Sequence, residues 1–410
     1  MSTDPLPPEE TAPPETARAR PLVRRLVEPF ERFLALDAAG GILLLAATAI
    51  ALGWANSPWR ASYQAFWHAP VGLVVAGADF VRPLHFWIND GLMTVFFFAI
   101  GLEVRRELHD GDLRDRRRAA LPLWGALGGM LLPAAIFTAS NLGRPTAGGW
   151  GIPIATDIAF SLGLLTLLGR RVPPPLRVFL LALAVIDDIG AILVIALFYS
   201  DGLAPAGLAI AALGVAGILA LQRLAVRDAA VYLVPGLVIW AGLLVSGVHP
   251  TLAGVLIGLL TPPRADAPDL PSPVQRLLAG LHRWVAHLIM PAFAFANAGV
   301  ALDGAAPGGA GLPVFLGVVL GLVVGKPVGI VGAAWLVHRL GWAELPRGTS
   351  WPALAVIGMV AGVGFTMSLF IAQLALAGAL LDTAKLAVLI ASATSAGLAL
   401  AVGRVLTRPG

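Results

Sequence analysis

Two adjacent carboxylates stand in the middle of an almost wholly apolar stretch, Ala184-Val-Ile-Asp187-Asp188-Ile-Gly-Ala-Ile-Leu193. A charged side chain at the centre of a bilayer costs at least about 2.5 to 3.5 kcal/mol, so two neighbours there are typical of an ion or proton path. Successive residues of a helix point about 100° apart, so Asp187 and Asp188 cannot face one ligand equally. The pair therefore predicts two roles, in which one carboxylate binds an ion while the other pairs elsewhere.

Asp157 lies just after a proline in a second apolar stretch, Gly151-Ile-Pro-Ile-Ala-Thr156-Asp157. A proline and small polar residues within a span indicate a discontinuous helix, whose freed backbone groups must face protein or water. A second interruption of this kind is Ala361-Gly-Val-Gly-Phe-Thr-Met-Ser368. Such breaks leave positive helix N-termini and negative C-termini inside the membrane. Asp157 could offset the former and Lys326 the latter, or both residues could belong to the ion path.

Lys326 is the one lysine that cannot reach an interface, because it lies deep in an apolar stretch, whereas Lys385 is close enough to the start of its span to snorkel. Glycines four apart, from Gly317 to Gly329, precede and follow Lys326 and let another helix approach closely. We therefore predict a buried lysine that pairs with Asp187.

The oxygen atoms of these residues suit a hard cation and not a soft transition metal, since they come from carboxylates, the Thr156 hydroxyl and freed backbone carbonyls. The same oxygens accept protons, so a cation and protons would compete for one site. Competition at a site presented alternately to either side is the minimal requirement for exchange. The predicted ion and proton site comprises Asp187, Asp188, Asp157, Thr156 and Lys326, and we expect no cofactor.

Several polar residues near the ends of spans have more than one interpretation. Asp90 is near the outer end of its span, where it could start a helix, anchor a hairpin or join the ion path. Glu103, Glu107 and His282 lie at cytoplasmic ends, where they could line an entry funnel, sense pH or simply be solvated. His249 stands at a proline break and is as consistent with a packed, hydrogen-bonded ring as with a pH-responsive one.

The composition places this chemistry in a membrane. The chain is 58% hydrophobic and 13% charged, whereas soluble domains are nearer 45 to 50% and 25%. The net charge of +4 comes mostly from arginines in short connecting segments, so we predict no nucleic-acid partner. The absence of cysteine excludes disulfides, thiolate metal sites and thiol catalysis, and no soluble-enzyme motif is present.

We predict an all-α polytopic fold with twelve spans, since each needs about 20 apolar residues. They lie at 38–55, 85–104, 119–140, 149–168, 174–199, 203–222, 228–245, 247–261, 284–301, 311–336, 351–377 and 382–404. A cytoplasmic N-terminus leaves only Arg60, Arg82 and Arg144 outside, so both termini are predicted to be cytoplasmic.

The spans are predicted to form one transporter domain over residues 26–410, which follows a disordered cytoplasmic tail at 1–25 and begins with a short interfacial helix at 26–36. Spans three to five (about 119–200) and ten to twelve (about 311–404) start on opposite sides and each contain a break. This is the pattern of an inverted repeat whose discontinuous helices cross at the midplane. The loop at about 57–84 alternates around Gly77-Ala78-Asp79, which predicts a small periplasmic β-hairpin. Its free edge could pair with a second copy of the chain.

The sequence resembles the NhaA-type sodium/proton antiporters of bacterial inner membranes. The motifs that carry the resemblance are Trp87-Ile-Asn-Asp-Gly-Leu-Met93, Gly101-Leu-Glu-Val-Arg-Arg-Glu107, Ala155-Thr-Asp-Ile-Ala-Phe160, Ile186-Asp-Asp-Ile-Gly-Ala-Ile192, Ser246-Gly-Val-His249, Phe293-Ala-Phe-Ala-Asn-Ala-Gly299, Gly325-Lys-Pro327 and Gly364-Phe-Thr-Met-Ser-Leu-Phe370. The resemblance implies electrogenic export of Na⁺ or Li⁺ for more than one H⁺. It implies Asp188 and Asp187 as the binding pair, Asp157 and Thr156 as broken-helix partners, Lys326 as an essential lysine, and the hairpin as the contact of a homodimer.

One departure from the family pattern concerns pH sensing. Where the best-known pattern has a Glu and a His before a second His, this chain has Leu278 and Ala279 before His282. We therefore expect exchange with a shifted or flatter pH response. The main alternative function is a sodium-coupled symporter of an organic anion, which would need a larger polar pocket; a channel or a non-transporting membrane protein fits the acidic pair less well.

Overall fold

The structure is a computed structural model of the 410-residue chain. It describes residues 39–75, 78–111, 116–200, 202–226, 228–263, 270–302 and 308–406. The predicted tail at 1–25 and the predicted interfacial helix at 26–36 lie outside these residues.

The described chain is helical except for one two-stranded sheet. Its elements in chain order are α1 (Ala39–Ala55), α2 (Arg60–His68), β1 (Pro70–Val75), β2 (Ala78–Pro83), α3 (Leu84–His109), α4 (Arg116–Ser140), α5a (Pro145–Ile154), α5b (Ile158–Leu168), α6 (Pro174–Phe198), α7 (Pro205–Arg223), α8 (Ala229–Ser246), α9 (Leu252–Leu260), α10 (Pro273–Asn297), α11 (Gly311–Arg339), α12a (Trp351–Ala361), α12b (Phe365–Ala375) and α13 (Gly378–Leu406).

The number of spans can be bounded from helix length and composition. Among the described residues, eight helices are long and apolar enough to cross a membrane, or up to eleven if each of three bent pairs counts as one span. The polytopic membrane class is therefore confirmed, while the count of twelve stays a prediction. The segment that decides between eleven and twelve is α9, which has only 9 residues.

The predicted ninth span begins too late. Its predicted start is residue 284, but α10 begins at Pro273. Ser272 caps this helix by accepting a hydrogen bond from the backbone N–H of Gln275 at 3.2 Å. The first turns of α10 are amphipathic, so a search for continuous apolar residues misses them.

The predicted hairpin is present as β1 and β2, which pair antiparallel from Pro70 opposite Pro83 to Val75 opposite Ala78. Trp87 fastens it to α3 by donating its indole N–H to the carbonyl oxygen of Val71 at 2.8 Å. We call the end of the molecule that carries β1 and β2 the hairpin side.

The helix α2 lies within the same predicted loop and is not predicted from the sequence. Tyr63 and Trp67 on this helix are buried, and the Tyr63 hydroxyl donates to the carbonyl oxygen of Phe295 on α10 at 2.7 Å. The apolar face of α2 consists of widely spaced aromatic residues in a polar segment, so its mean hydropathy does not distinguish it from a loop.

Two bent helix pairs form the centre of the structure. The axes of α5a and α5b differ by 43°, and those of α12a and α12b by 47°. The two breaks touch each other, because the backbone N–H of Asp157 donates to the carbonyl oxygen of Val363 at 2.8 Å. Both predicted interruptions are therefore real breaks, and they meet.

Small residues allow the helix that carries Lys326 to lie at the centre. A Cβ on Gly128 of α4 would lie 2.2 Å from the carbonyl oxygen of Gly329 on α11, so the two backbones are in direct contact. The close approach predicted from the glycine spacing is thus confirmed. It brings Lys326 beside the broken helices.

Candidate ion-binding site

Lys326 and Asp187 form an ion pair beside the two helix breaks. The Lys326 Nζ lies 2.7 Å from Asp187 Oδ2, and both side chains are 0% exposed. Lys326 also donates to the carbonyl oxygen of Ile154, the last residue of α5a. The lysine therefore binds the negative end of a half-helix and a carboxylate at once. The sequence predicts each of these two contacts.

Thr156 links the same carboxylate to the second broken helix. Its hydroxyl lies 2.7 Å from Asp187 Oδ2 and 3.0 Å from the carbonyl oxygen of Ala361, the last residue of α12a. A hydroxyl has one hydrogen to donate, so these two oxygens share or alternate as its acceptor. Asp187 Oδ2 is thus held by two groups from different elements.

Asp157 caps two helix N-termini. Its Oδ1 accepts from the backbone N–H of Phe160 in α5b at 2.9 Å. Its Oδ2 accepts from both the backbone N–H of Thr366, at 3.1 Å, and the Thr366 hydroxyl, at 2.6 Å, in the first turn of α12b. A carboxylate at this position offsets the positive ends of both half-helices.

Asp188 differs from its neighbour in having no fixed partner. It is 3% exposed, and the buried Oδ1 atoms of both aspartates have no hydrogen-bond partner among the described residues, but only Asp187 has its second oxygen held by other side chains. Asp187, Asp157, Glu103 and Lys326 all lie within electrostatic range of it. Asp187 and Asp188 thus occupy different environments, as expected for successive helix residues.

Two polar residues that contact the helix breaks were not among the predicted site residues. Thr366 holds Asp157, and Ser392 of α13 accepts from the backbone N–H of Phe365 at 3.1 Å, which caps α12b. Thr366 could have been found because it lies within the second predicted interruption. Ser392 gives no such signal, because it sits in a regular helix.

The cytoplasmic-end candidates are only partly brought together. Arg106 lies 3.3 Å from Glu103 and 3.1 Å from Glu107, so both acids share one partner at the end of α3. His282 is exposed on α10. Their funnel or sensing roles stay predictions.

Asp90 does not start a helix, because it lies six residues inside α3, whose first residue is Leu84. Its Oδ1 lies 3.5 Å from His249 Nε2. The other ring nitrogen of His249 lies 2.9 Å from the Thr251 hydroxyl. His249 is therefore packed and hydrogen-bonded, and its response to pH stays a prediction.

Two broken helices whose breaks meet beside buried carboxylates and a buried lysine define a membrane transporter of small ions. Comparison with known proteins narrows this class. The chain belongs to the family described as Na⁺/H⁺ antiporter 1, whose model matches residues 31–402. This confirms the resemblance found in the sequence.

Relatives with this description cover nearly the whole chain. The Na⁺/H⁺ antiporter NhaA 2 of Sorangium cellulosum is 54% identical over 97% of this chain and 94% of its own length. The Na⁺/H⁺ antiporter NhaA of an Acidovorax species is 52% identical over 99% of both chains. That of Bordetella petrii is 49% identical over 97% of this chain and 95% of its own.

Proposed function

We propose that the protein is a secondary active antiporter that exports Na⁺ or Li⁺ in exchange for H⁺, with Asp188 and Asp187 as the cation ligands. The observation that carries this proposal is the asymmetry of the acidic pair. Asp187 Oδ2 is held by Lys326 and Thr156, while Asp188 is buried with no hydrogen-bond or ion-pair partner among the described residues. The names of the relatives give no support to the alternative, a symporter of an organic anion.

Exchange follows from competition for the same oxygens. A cation that binds Asp188 adds positive charge beside Lys326, and this weakens the hold of Lys326 on Asp187. Asp187 can then join Asp188 as a ligand, with Thr156 and Asp157 close by to supply further oxygens. Protons that return to the carboxylates remove the negative charge and release the cation. More than one proton per cation would make the cycle electrogenic.

The test is Na⁺-driven proton movement in sealed everted membrane vesicles with an acidified lumen and a pH-sensitive dye. The wild type should alkalinise the lumen on addition of Na⁺, without any added organic anion, and Asp188→Asn should not. Asp228→Asn is the matched control, because Asp228 is an exposed residue outside the predicted ion site. It caps α8 by accepting from the Ala230 N–H, and an Asn can also cap a helix. A silent wild type refutes the exchange, whereas an active Asp188→Asn refutes the site.

We further propose twelve crossings. Asn56, after α1, donates its side-chain amide to the carbonyl oxygen of Val300, after α10, at 2.8 Å. These two positions therefore lie on one side of the membrane, so an even number of crossings must separate them. Counting α3 to α8 and α10 gives seven, and only the inclusion of α9 makes the number even. This parity supports an inverted repeat with both termini on one side of the membrane, and the arginine distribution favours the cytoplasmic side of a bacterial inner membrane.

The remaining proposals concern regulation and assembly. Glu103, Glu107 and His282 are proposed to line the cytoplasmic entry, and His249 to respond to pH from the hairpin side. With Leu278 and Ala279 in place of a Glu and a His, the pH response should be shifted or flatter than in relatives that keep them. The hairpin is proposed to join two copies of the chain into a homodimer.

A further inference from the structure

Three helices bring neutral polar side chains together on the hairpin side of the ion site. The Nε2–H of His85 donates to Asn297 Oδ1 at 2.9 Å, and Asn297 Nδ2 donates to Asn89 Oδ1 at 2.8 Å. Asn89 Nδ2 in turn donates to Gln373 Oε1. We call these four residues the amide cluster; it joins α3, α10 and α12b.

A layer of phenylalanines lies between the amide cluster and the ion site. The ring centroid of Phe370 on α12b lies 5.2 Å from that of Phe97 on α3 and 6.2 Å from that of Phe293 on α10. All three side chains are at most 1% exposed. The same three helices therefore supply both layers.

The spacing of the residues shows that the two layers are stacked in order. On α12b, Thr366 holds Asp157, Phe370 follows four residues later and Gln373 three after that, so all three lie on one face of the helix. On α10, Met290, Phe293 and Asn297 repeat this order, and the Met290 sulfur lies 4.0 Å from the Thr366 hydroxyl. The faces of α10 and α12b thus run side by side from the ion site to the amide cluster.

We infer that the two layers are the hairpin-side gate of the transport path, and that α12b must move away from α3 and α10 for a cation to pass. This inference rests on the proposed exchange function. The phenylalanine layer excludes water and ions, while the amide cluster holds the three helices together in the closed state. Hydrogen bonds between neutral side chains in membranes are individually weak, so the cluster can hold the gate and still release it in every cycle.

The position of Gln373 gives this gate a direct connection to the site. Gln373 and Thr366 are on the same 11-residue half-helix, so movement of α12b at the amide cluster also moves the group that binds Asp157. Opening of the gate and loss of a contact at the ion site are therefore one event, which ties access to occupancy.

The experiment uses the full-length chain, which contains no cysteine, so an introduced pair reacts without competing thiols. Asn89→Cys with Gln373→Cys is treated with a short bis-methanethiosulfonate cross-linker in proteoliposomes, and Na⁺/H⁺ exchange is measured before and after a reductant. We expect cross-linking to reduce exchange at least tenfold and the reductant to restore it. The control pair Asn56→Cys with Val300→Cys joins α1 to the segment after α10 and does not bridge the gate, so its cross-linking should leave the rate within twofold.

Exchange that continues after complete cross-linking of the gate pair would overturn the gate and leave the proposed function standing; a wild type without exchange would instead refute the function. A second measurement covers the case in which the double variant is inactive before cross-linking. Asn297→Cys, at a position that is 0% exposed, should react with a membrane-impermeant maleimide at a rate that changes at least threefold with Na⁺. A rate that is independent of Na⁺ and pH contradicts a gate at this position.

Discussion

Asp187 and Asp188 are chemically identical neighbours, yet they should respond differently to the same substitution. Replacing Asp187 by Asn leaves Lys326 buried without its counter-charge, and breaking a buried ion pair in this way costs about 3 to 5 kcal/mol. Asp188→Asn removes a carboxylate that has no such partner, so its effect on stability should be small. We expect a lower Tm in detergent for Asp187→Asn than for Asp188→Asn, and loss of exchange in both.

A double-variant cycle separates the ion pair from general damage at this residue. Asp187→Asn combined with Lys326→Gln replaces the pair by two neutral groups, so it should recover much of the stability lost in Asp187→Asn alone. Equal Tm values for Asp187→Asn and Asp188→Asn would contradict the asymmetry that the structure shows. A double variant less stable than either single variant would argue against Lys326 and Asp187 as partners.

For single residues, the sequence predicts which charged side chains are buried but not which partner each of them has. Asp157, Asp187, Asp188 and Lys326 are identifiable because each breaks an apolar stretch. The partners of Asp157 depend on where a second helix breaks in space. Thr366 therefore becomes a site residue only through the tertiary contact that puts its hydroxyl 2.6 Å from Asp157.

Among the elements, the break between α12a and α12b depends on a glycine that has no room for a side chain. A Cβ on Gly362 would lie 2.6 Å from the backbone carbonyl oxygen of Leu322 in α11 and 2.9 Å from Ser395 Oγ in α13. A backbone atom cannot move aside as a flexible side chain can, so three helices would have to shift. Such overpacking typically costs about 1 to 3 kcal/mol.

Gly362→Ala should therefore lower both Tm and the apparent Na⁺ affinity of exchange, because it displaces the half-helices that carry Ala361 and Thr366. Gly397→Ala on α13 is the matched control, since nothing lies within 4 Å of the added methyl. In a helix this control change is neutral or stabilising by up to about 1 kcal/mol. If the two variants have equal Tm and equal Na⁺ affinity, the close contact at Gly362 is not what positions the break.

Helix breaks marked by proline or glycine are predictable from the sequence, whereas helices that depend on packing against a partner are not. Pro153, Gly362 and Gly364 mark the two breaks in the sequence. The helix α2 and the first turns of α10 escape detection because their apolar residues form only one face. They become visible once that face is seen against its partner, as with Tyr63 against Phe295.

For the whole molecule, self-association through the hairpin is open to a direct test. Val71 and Val81 are 44% and 43% exposed on the two strands, and charges on exposed strands oppose edge-to-edge pairing. Val71→Lys with Val81→Lys should shift the protein in detergent from dimer to monomer by light scattering while each protomer keeps its exchange activity. Leu302→Lys, on the same side and 51% exposed, is the control. A dimer that persists in the hairpin variant, or a wild type that is monomeric, contradicts this assembly.

The number of crossings of the whole molecule depends on whether α9 spans the membrane, because α9 is only 9 residues, or about 13 Å, long. Its role can be read from the sides on which single cysteines react with an impermeant maleimide. Asp79→Cys on β2 and Glu344→Cys between α11 and α12a are exposed positions separated by nine helical segments if α9 counts and eight if it does not. An odd number puts them on opposite sides.

We expect Asp79→Cys to react in intact cells and Glu344→Cys only in everted vesicles. Leu302→Cys should react like Asp79→Cys, because the Leu302 N–H donates to Asn56 Oδ1 on the hairpin side. Reaction of Asp79→Cys and Glu344→Cys from the same side would remove α9 from the set of crossings, and with it the inversion that lets two similar repeats face the two sides of the membrane.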